Sequence, residues 1–153
     1  MKKILFCCSG NTFRSFAAEK ILKKYLKENN IKNIKVSSAG TIAGEFLYIH
    51  LITLSTLSKL NIIIKEHTPT KLTKEIIEAN DLIIAMGKDH QEYIKKKYGK
   101  KSILFNKFIY DLDTPILDIH EVKIKTKNEE KKYVKKVINY IHKSIPYLVK
   151  KIN

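Results

Sequence analysis

The sequence predicts an α/β domain, residues 1–153, in which a four-stranded parallel sheet carries helices on both faces. Three observations predict it. Short apolar runs alternate with longer helical patterns along a chain of 153 residues and 17.8 kDa, a length that suits one domain with a full core. Each interval between the apolar runs is long enough for the crossover helix that joins parallel strands. The run Asp81-Leu82-Ile83-Ile84-Ala85-Met86 is apolar almost throughout, as a strand covered on both sides must be.

Lys3-Ile4-Leu5-Phe6-Cys7 reads as the first strand, and residues 15–29 as a helix burying Ala17, Ala18, Ile21, Leu22, Tyr25 and Leu26. Asn29-Asn30 ends that helix. Ile34-Lys35-Val36-Ser37 is the second strand, closed by Ala39-Gly40. A helix is expected over 48–59, with an extended tail at 61–64. Thr73 should cap a further helix holding Ile76 and Ile77 inward, with Glu75 and Glu78 early in it. After the third strand at 81–86, residues 90–98 read as helix and 102–105 as the fourth strand. A loop through 111–126 leads to a last helix at 128–150, which Pro146 should kink or interrupt.

The apolar run behind Met1-Lys2-Lys3 extends only to Cys8, too short for a signal sequence. The stretch 46–64 carries His50, Lys59 and Asn61 and does not read as a membrane span. Two adjacent cysteines make no disulfide framework and suit a reducing compartment. The expected location is therefore cytoplasmic, with no membrane partner. No paired ligand spacing suggests a metal.

The net charge of +15 raises the question of nucleic acid. However, 29 of the 30 basic residues are lysine, beside heavy use of Ile and Asn, which is what an AT-rich coding sequence gives. No basic patch interleaved with aromatics stands out. We read background composition rather than a nucleic-acid partner, although the field would still attract anions.

The one arginine, Arg14, stands close behind both cysteines in FCCSGNTFRS, residues 6–15. Elsewhere lysine supplies the positive charge. At position 14 the planar guanidinium offers a fork that grips two oxygens, which an ammonium cannot copy. The segment Cys8-Ser9-Gly10-Asn11-Thr12-Phe13-Arg14-Ser15 runs from a strand's carboxyl end into a helix, where ligands of parallel sheets bind. Its free amides and the helix dipole make an anion cradle from Ser9 through Arg14, with Gly10 and Asn11 able to take left-handed backbone. A thiol at its mouth is favoured as thiolate and set for in-line attack on phosphorus, with amides and guanidinium carrying the charge. Adjacent strand residues face opposite ways, so one cysteine serves. The C-x5-R spacing selects Cys8, leaving Cys7 as a small core residue.

These residues resemble the low-molecular-weight protein tyrosine phosphatases, whose loop reads C-x-G-N-x-x-R-S. Cys8, Gly10, Asn11, Arg14 and Ser15 fall in register. Ala18-Glu19, Ser38-Ala39-Gly40, His67 with Leu72-Thr73, and the strand ending in Met86 resemble further segments of that family. The resemblance implies a flavodoxin-like phosphatase fold and a metal-independent, cofactor-free phosphatase. It would hydrolyse phosphotyrosine in proteins, or small aryl phosphates, through a cysteinyl-phosphate. By the same resemblance Cys8 is the nucleophile, Arg14 the phosphate clamp and Ser15 a donor to the sulfur, while Asn11, Ser38 and His67 support the loop.

Four departures stand out. Phe13 occupies the place of the family's second, protective cysteine, and Phe16 that of a proline. The downstream cysteines of arsenate-reducing relatives are missing, which excludes that branch. Thr12 resembles the protein-arginine phosphatase branch, so phosphoarginine stays an alternative. Finally, the family's Asp-Pro general acid is absent. Asp118, preceded by Ile116-Leu117, is the first candidate in its place, followed by Asp113, with Glu121 behind them; Asp111 lies in the same loop. Without a working acid, the chain would be a phosphate- or phosphoprotein-binding module of the same fold.

Overall fold

The computed structural model describes residues 1–44 and 49–153. Four strands, β1 (Lys2–Cys8), β2 (Ile34–Gly40), β3 (Leu82–Ala85) and β4 (Ile103–Leu104), form a parallel sheet in the order β2-β1-β3-β4. β1 alternates as a central strand must. Ile4, Phe6 and Cys8 enter one core, while Leu5 and Cys7 enter the other.

The first core lies beneath α1 (Arg14–Glu28), α2 (Leu51–Lys59), α5 (Phe105–Tyr110) and α6 (Lys127–Ile152). Phe16, Leu22, Phe105, Ile138 and Ile141 fill it, with no more than 1% of any exposed. The second core lies under α3 (Lys74–Glu78) and α4 (Lys88–Tyr98), around Leu72, Ile77 and Ile94. Thr73 caps α3 through its hydroxyl, which accepts from the Ile76 amide at 3.3 Å.

Several boundaries differ from the sequence expectation. The extended tail at 61–64 joins no strand: Asn61 turns the chain with φ 59°, and Ile62 tucks its side chain into the first core. The fourth strand is only two residues long, because residues 105–110 coil into α5. Pro146 does not interrupt α6, which runs unbroken to Ile152. Pro146 and His142 are both exposed, so the carbonyl left without a partner faces water. The expected start of α2 at Tyr48 lies outside the described residues.

The carboxyl ends of β1, β2 and β3 meet at one edge. Gly40 closes β2 there: a Cβ on it would stand 2.3 Å from the Ser9 carbonyl and 2.9 Å from the Asn11 amide. Only glycine permits that approach. The carbonyl of Gly40 accepts from the Leu72 amide, and its amide donates to the Thr70 carbonyl, which draws the segment containing His67 against the β1–α1 loop.

Candidate active site

The loop from Cys8 to Arg14 turns on Asn11, which takes the left-handed conformation at φ 56°. Among the described residues Gly99 is the only glycine with positive φ, so Gly10 does not share the turn as expected. Asn11 is fully buried and held from every side. Its carbonyl meets His67 Nε2 at 3.0 Å, and its side-chain oxygen accepts from the Thr70 amide at 2.9 Å. Its Nδ2 donates to Ser15 Oγ at 3.0 Å and to Ser38 Oγ at 2.8 Å.

Those bonds fix a direction. Ser38 Oγ receives from Asn11 and hands its own hydrogen to the carboxylate of Glu19. Ser15 Oγ likewise receives from Asn11 and lies 2.9 Å from Cys8 Sγ, and once that sulfur is a thiolate the hydroxyl hydrogen is donated to it. The chain of bonds orients a hydroxyl onto the sulfur. Glu19 anchors it from inside the protein, 6% exposed and paired with Lys23 and Lys20. Burial would raise its pKa, but the bonds from Lys23 and Ser38 and the lysine charges hold it below the usual carboxylate range.

Cys8 and Cys7 are both free thiols and both buried. Cys7 points into the second core, on the far side of the sheet from Cys8. Burial, reinforced by Cys8, pushes its thiol well above the usual range. It is a packing residue.

Arg14 is 2% exposed, and its guanidinium is held by polar groups. Its Nη1 donates to the Ile116 carbonyl at 2.9 Å, and Nη2 stands 3.1 Å from Asp118 Oδ2. Glu121 is further off, at 3.7 Å, and accepts instead from the Asp118 amide at 2.9 Å. Asp118 Oδ1 accepts from the Ile119 amide, capping the one-turn 3₁₀ helix Ile119–Glu121. Tyr133 of α6 donates to the Leu117 carbonyl at 2.6 Å and ties this loop down.

Of the sequence-predicted acids, the fold therefore brings Asp118 to the arginine. Asp113 faces solvent beside Lys88, and Asp111 pairs with Lys107 on the surface. Ser9, Gly10 and Thr12 are half-buried along the loop, whereas Phe13 is buried at 4% exposed. Tyr110 is 37% exposed and bonds to Ser144 on α6, away from the loop. The sequence also offers residues 42–46 as flanking the entrance and Tyr48 as a stacking partner for an aryl group; of these, residues 45–48 lie outside the described residues.

Two residues of this network are given no role in the sequence reading, Glu19 and His90. Glu19 had a signal, a carboxylate on the helix face that carries Ala18 and Leu22. His90 had a weaker one, its place one turn beyond the carboxyl end of β3. Its Nε2 lies 2.8 Å from Ser9 Oγ, and its Nδ1 accepts from the Gly87 amide at 2.9 Å. Among the described residues, no helix is long and apolar enough to cross a membrane.

Comparison with known proteins gives the family and the fold. The family description low molecular weight phosphotyrosine protein phosphatase matches residues 3–153. A protein-arginine-phosphatase of Bacillus subtilis is 32% identical over 63% of this chain, which spans 63%, under two thirds, of that relative's length. The low molecular weight protein-tyrosine-phosphatase PtpB of Staphylococcus epidermidis is 32% identical over 76% of this chain and 78% of its own. A solved low molecular weight protein tyrosine phosphatase from T. tengcongensis superposes with a TM-score of 0.85 at 26% identity, covering 99% of both chains. A mutant YwlE from Bacillus subtilis shares the fold, with a TM-score of 0.86 at 24% identity over 99% of both chains.

Proposed function

The chain belongs to the low molecular weight phosphotyrosine protein phosphatase family, and we propose that it hydrolyses phosphate monoesters of phosphorylated proteins through Cys8 without a metal. One observation carries the reading: the nucleophile candidate, a hydroxyl aimed at it, the arginine fork and a carboxylate all converge on one loop.

In the first step the Cys8 thiolate attacks phosphorus in line, forming the S–P bond as the P–O bond to the leaving group breaks. Asp118, in its protonated form, gives its proton to the departing oxygen. The amides from Ser9 to Arg14 and the guanidinium hold the phosphoryl oxygens. In the second step water attacks phosphorus and passes a proton to Asp118. The S–P bond breaks, and the sulfur leaves as a thiolate that accepts the Ser15 hydroxyl hydrogen. Asn11, Ser38 and His67 hold the loop in the shape this requires. The Asp118–Arg14 pair favours this reading over a binding module that lacks an acid, although the acid comes without the proline that follows it elsewhere in the family.

Phosphotyrosine is the substrate class this reading puts first. Phosphoarginine is the second, supported by Thr12 in the loop and by the name of the Bacillus subtilis relative. We place the protein in the cytoplasm, where the nucleophilic thiol stays reduced.

The test is hydrolysis of p-nitrophenyl phosphate by wild type and Cys8→Ser with chelator and fresh reductant present. Turnover that survives the chelator and disappears in Cys8→Ser supports the thiolate route. Absence of turnover in folded wild type overturns it for aryl esters. Phosphotyrosine and phosphoarginine peptides then separate the two substrate classes.

A further inference from the structure

His90 is 1% exposed at the start of α4, and the bonds to its two ring nitrogens define its tautomer. Nδ1 accepts from the Gly87 amide at 2.9 Å, so that nitrogen carries no hydrogen. The hydrogen is on Nε2, where the Asp89 carboxylate at 3.4 Å also favours it, and it is donated to Ser9 Oγ at 2.8 Å. Ser9 therefore cannot give its own hydroxyl hydrogen to the histidine. That hydrogen must go to another acceptor.

Its surroundings indicate which one. The Ser9 carbonyl is pinned toward β2 by the Ile42 amide at 3.0 Å, while the side chain reaches the β3 side to meet His90. His90 lies within the fields of both Arg14 and Asp118. Ser9 follows Cys8 in the chain, and its hydroxyl is held by His90, which feels the charges of Arg14 and Asp118. The residue facing an anion there is a donor of fixed polarity.

Resting on the phosphatase reading of the same loop, we propose that His90 is a positioning residue. It holds the Ser9 side chain so that the hydroxyl donates to a bound phosphoryl oxygen on the Asp118 side. Burial, and next the Arg14 charge, keep the imidazole neutral down to about 4, against the opposing pull of Asp89 and Asp118. The polarity of the pair therefore holds across the neutral range. The pair adds a side-chain donor to the backbone amides of the cradle.

The alternative is that His90 only caps α4 through the Gly87 amide, and the two amide isosteres separate these roles. His90→Asn keeps an acceptor where Nδ1 stood but loses the reach to Ser9, whereas His90→Gln keeps a donor near the Nε2 position. Affinity for inorganic phosphate, measured by calorimetry, reads the interaction without needing turnover. kcat and KM on p-nitrophenyl phosphate accompany it.

Ser9→Ala should weaken phosphate binding and kcat/KM by roughly tenfold or more, the scale of one hydrogen bond to a charged group. His90→Asn should lose about as much, the double variant no more than either alone, and His90→Gln and Ser9→Thr much less. Multiplying losses in the double variant would overturn the proposal. So would full phosphate affinity in folded His90→Asn or in Ser9→Ala. If wild type binds phosphate but turns nothing over, the phosphatase reading fails, and the phosphate titrations still decide the role of the pair.

Discussion

Arg14 and Asp118 are joined at 3.1 Å, and among the described residues Asp118 is the acidic residue that stands closest to the guanidinium. The pair gives one carboxylate two successive environments. A dianionic phosphate engaging Arg14 competes with Asp118 for the same cation and places negative charge beside it. Asp118→Asn should lower kcat on phenyl phosphate by roughly 10²–10⁴-fold. The loss should be smaller with p-nitrophenyl phosphate, whose leaving group needs less protonation. Phosphate affinity should hold or improve, since a competitor for Arg14 is removed. Asp113→Asn, exposed beside Lys88, should behave as wild type. Equal losses in the two variants would reject Asp118 as the acid.

Glu19 gives the network a dependence on acid. Its pKa is held below the ordinary Glu value, so its contribution to stability is present above about 4.3 and disappears as pH falls through the lower folded value. Glu19→Gln should destabilise the protein at neutral pH by roughly 1–3 kcal/mol, the scale of lost bonds to a charged group. The difference from wild type should shrink in strong acid. Urea unfolding at two pH values checks both, and a constant difference would exclude the linkage.

The histidines act earlier on the same descent. His90 is held down to about 4 by burial first, and His67 is lowered by burial in the same direction. The unfolded chain, with ordinary values near 6.5, binds protons that the folded chain refuses. Stability should therefore decline as pH falls from about 6.5 toward 4. His90→Gln should flatten that slope, and a slope unchanged in both His90→Gln and His67→Gln would contradict the assignment.

How much of this was readable in advance differs from residue to residue. The loop was legible because its chemistry is local: Cys8, Gly10, Asn11, Arg14 and Ser15 lie within one turn between a strand and a helix. Asp118 was harder. Its meaning depends on a loop after β4 folding back across the sheet edge onto Arg14, a contact over more than a hundred positions. The break from β4 into α5 was hidden because Phe105 and Ile109 face the same core as the strand that precedes them, so apolar pattern alone could not mark it. Pro146 misled for the opposite reason. A local rule against helix-interior proline was offset by α6's packing against α1 and α2 and by a water-facing position.

Cys8 has no partner for protection. Phe13 is buried where a second loop thiol would stand, and Cys7 faces the opposite core. Hydrogen peroxide should convert the Cys8 thiolate to a sulfenic acid and then, with no thiol to trap it, to sulfinic acid. Brief exposure should be reversed by dithiothreitol, and longer exposure should not. Mass spectrometry should find the added oxygens on Cys8. Full recovery after long exposure, with a disulfide to Cys7, would show that the sheet edge opens enough to let them pair.

Thr12 bears on the choice between the two substrate classes. It is half-buried in the loop, so its side chain can meet the part of the substrate beyond the phosphate. A guanidino leaving group brings N–H donors that a hydroxyl can accept, whereas a phenyl ring gains nothing from that oxygen. Thr12→Val removes the hydroxyl at nearly constant shape. If phosphoarginine is the substrate, the variant should lose roughly tenfold in kcat/KM on a phosphoarginine peptide, about one hydrogen bond's worth, and little or nothing on a phosphotyrosine peptide. Equal effects on both peptides would mean that Thr12 shapes the loop and does not read the leaving group. The substrate preference would then have to come from another wall of the cleft.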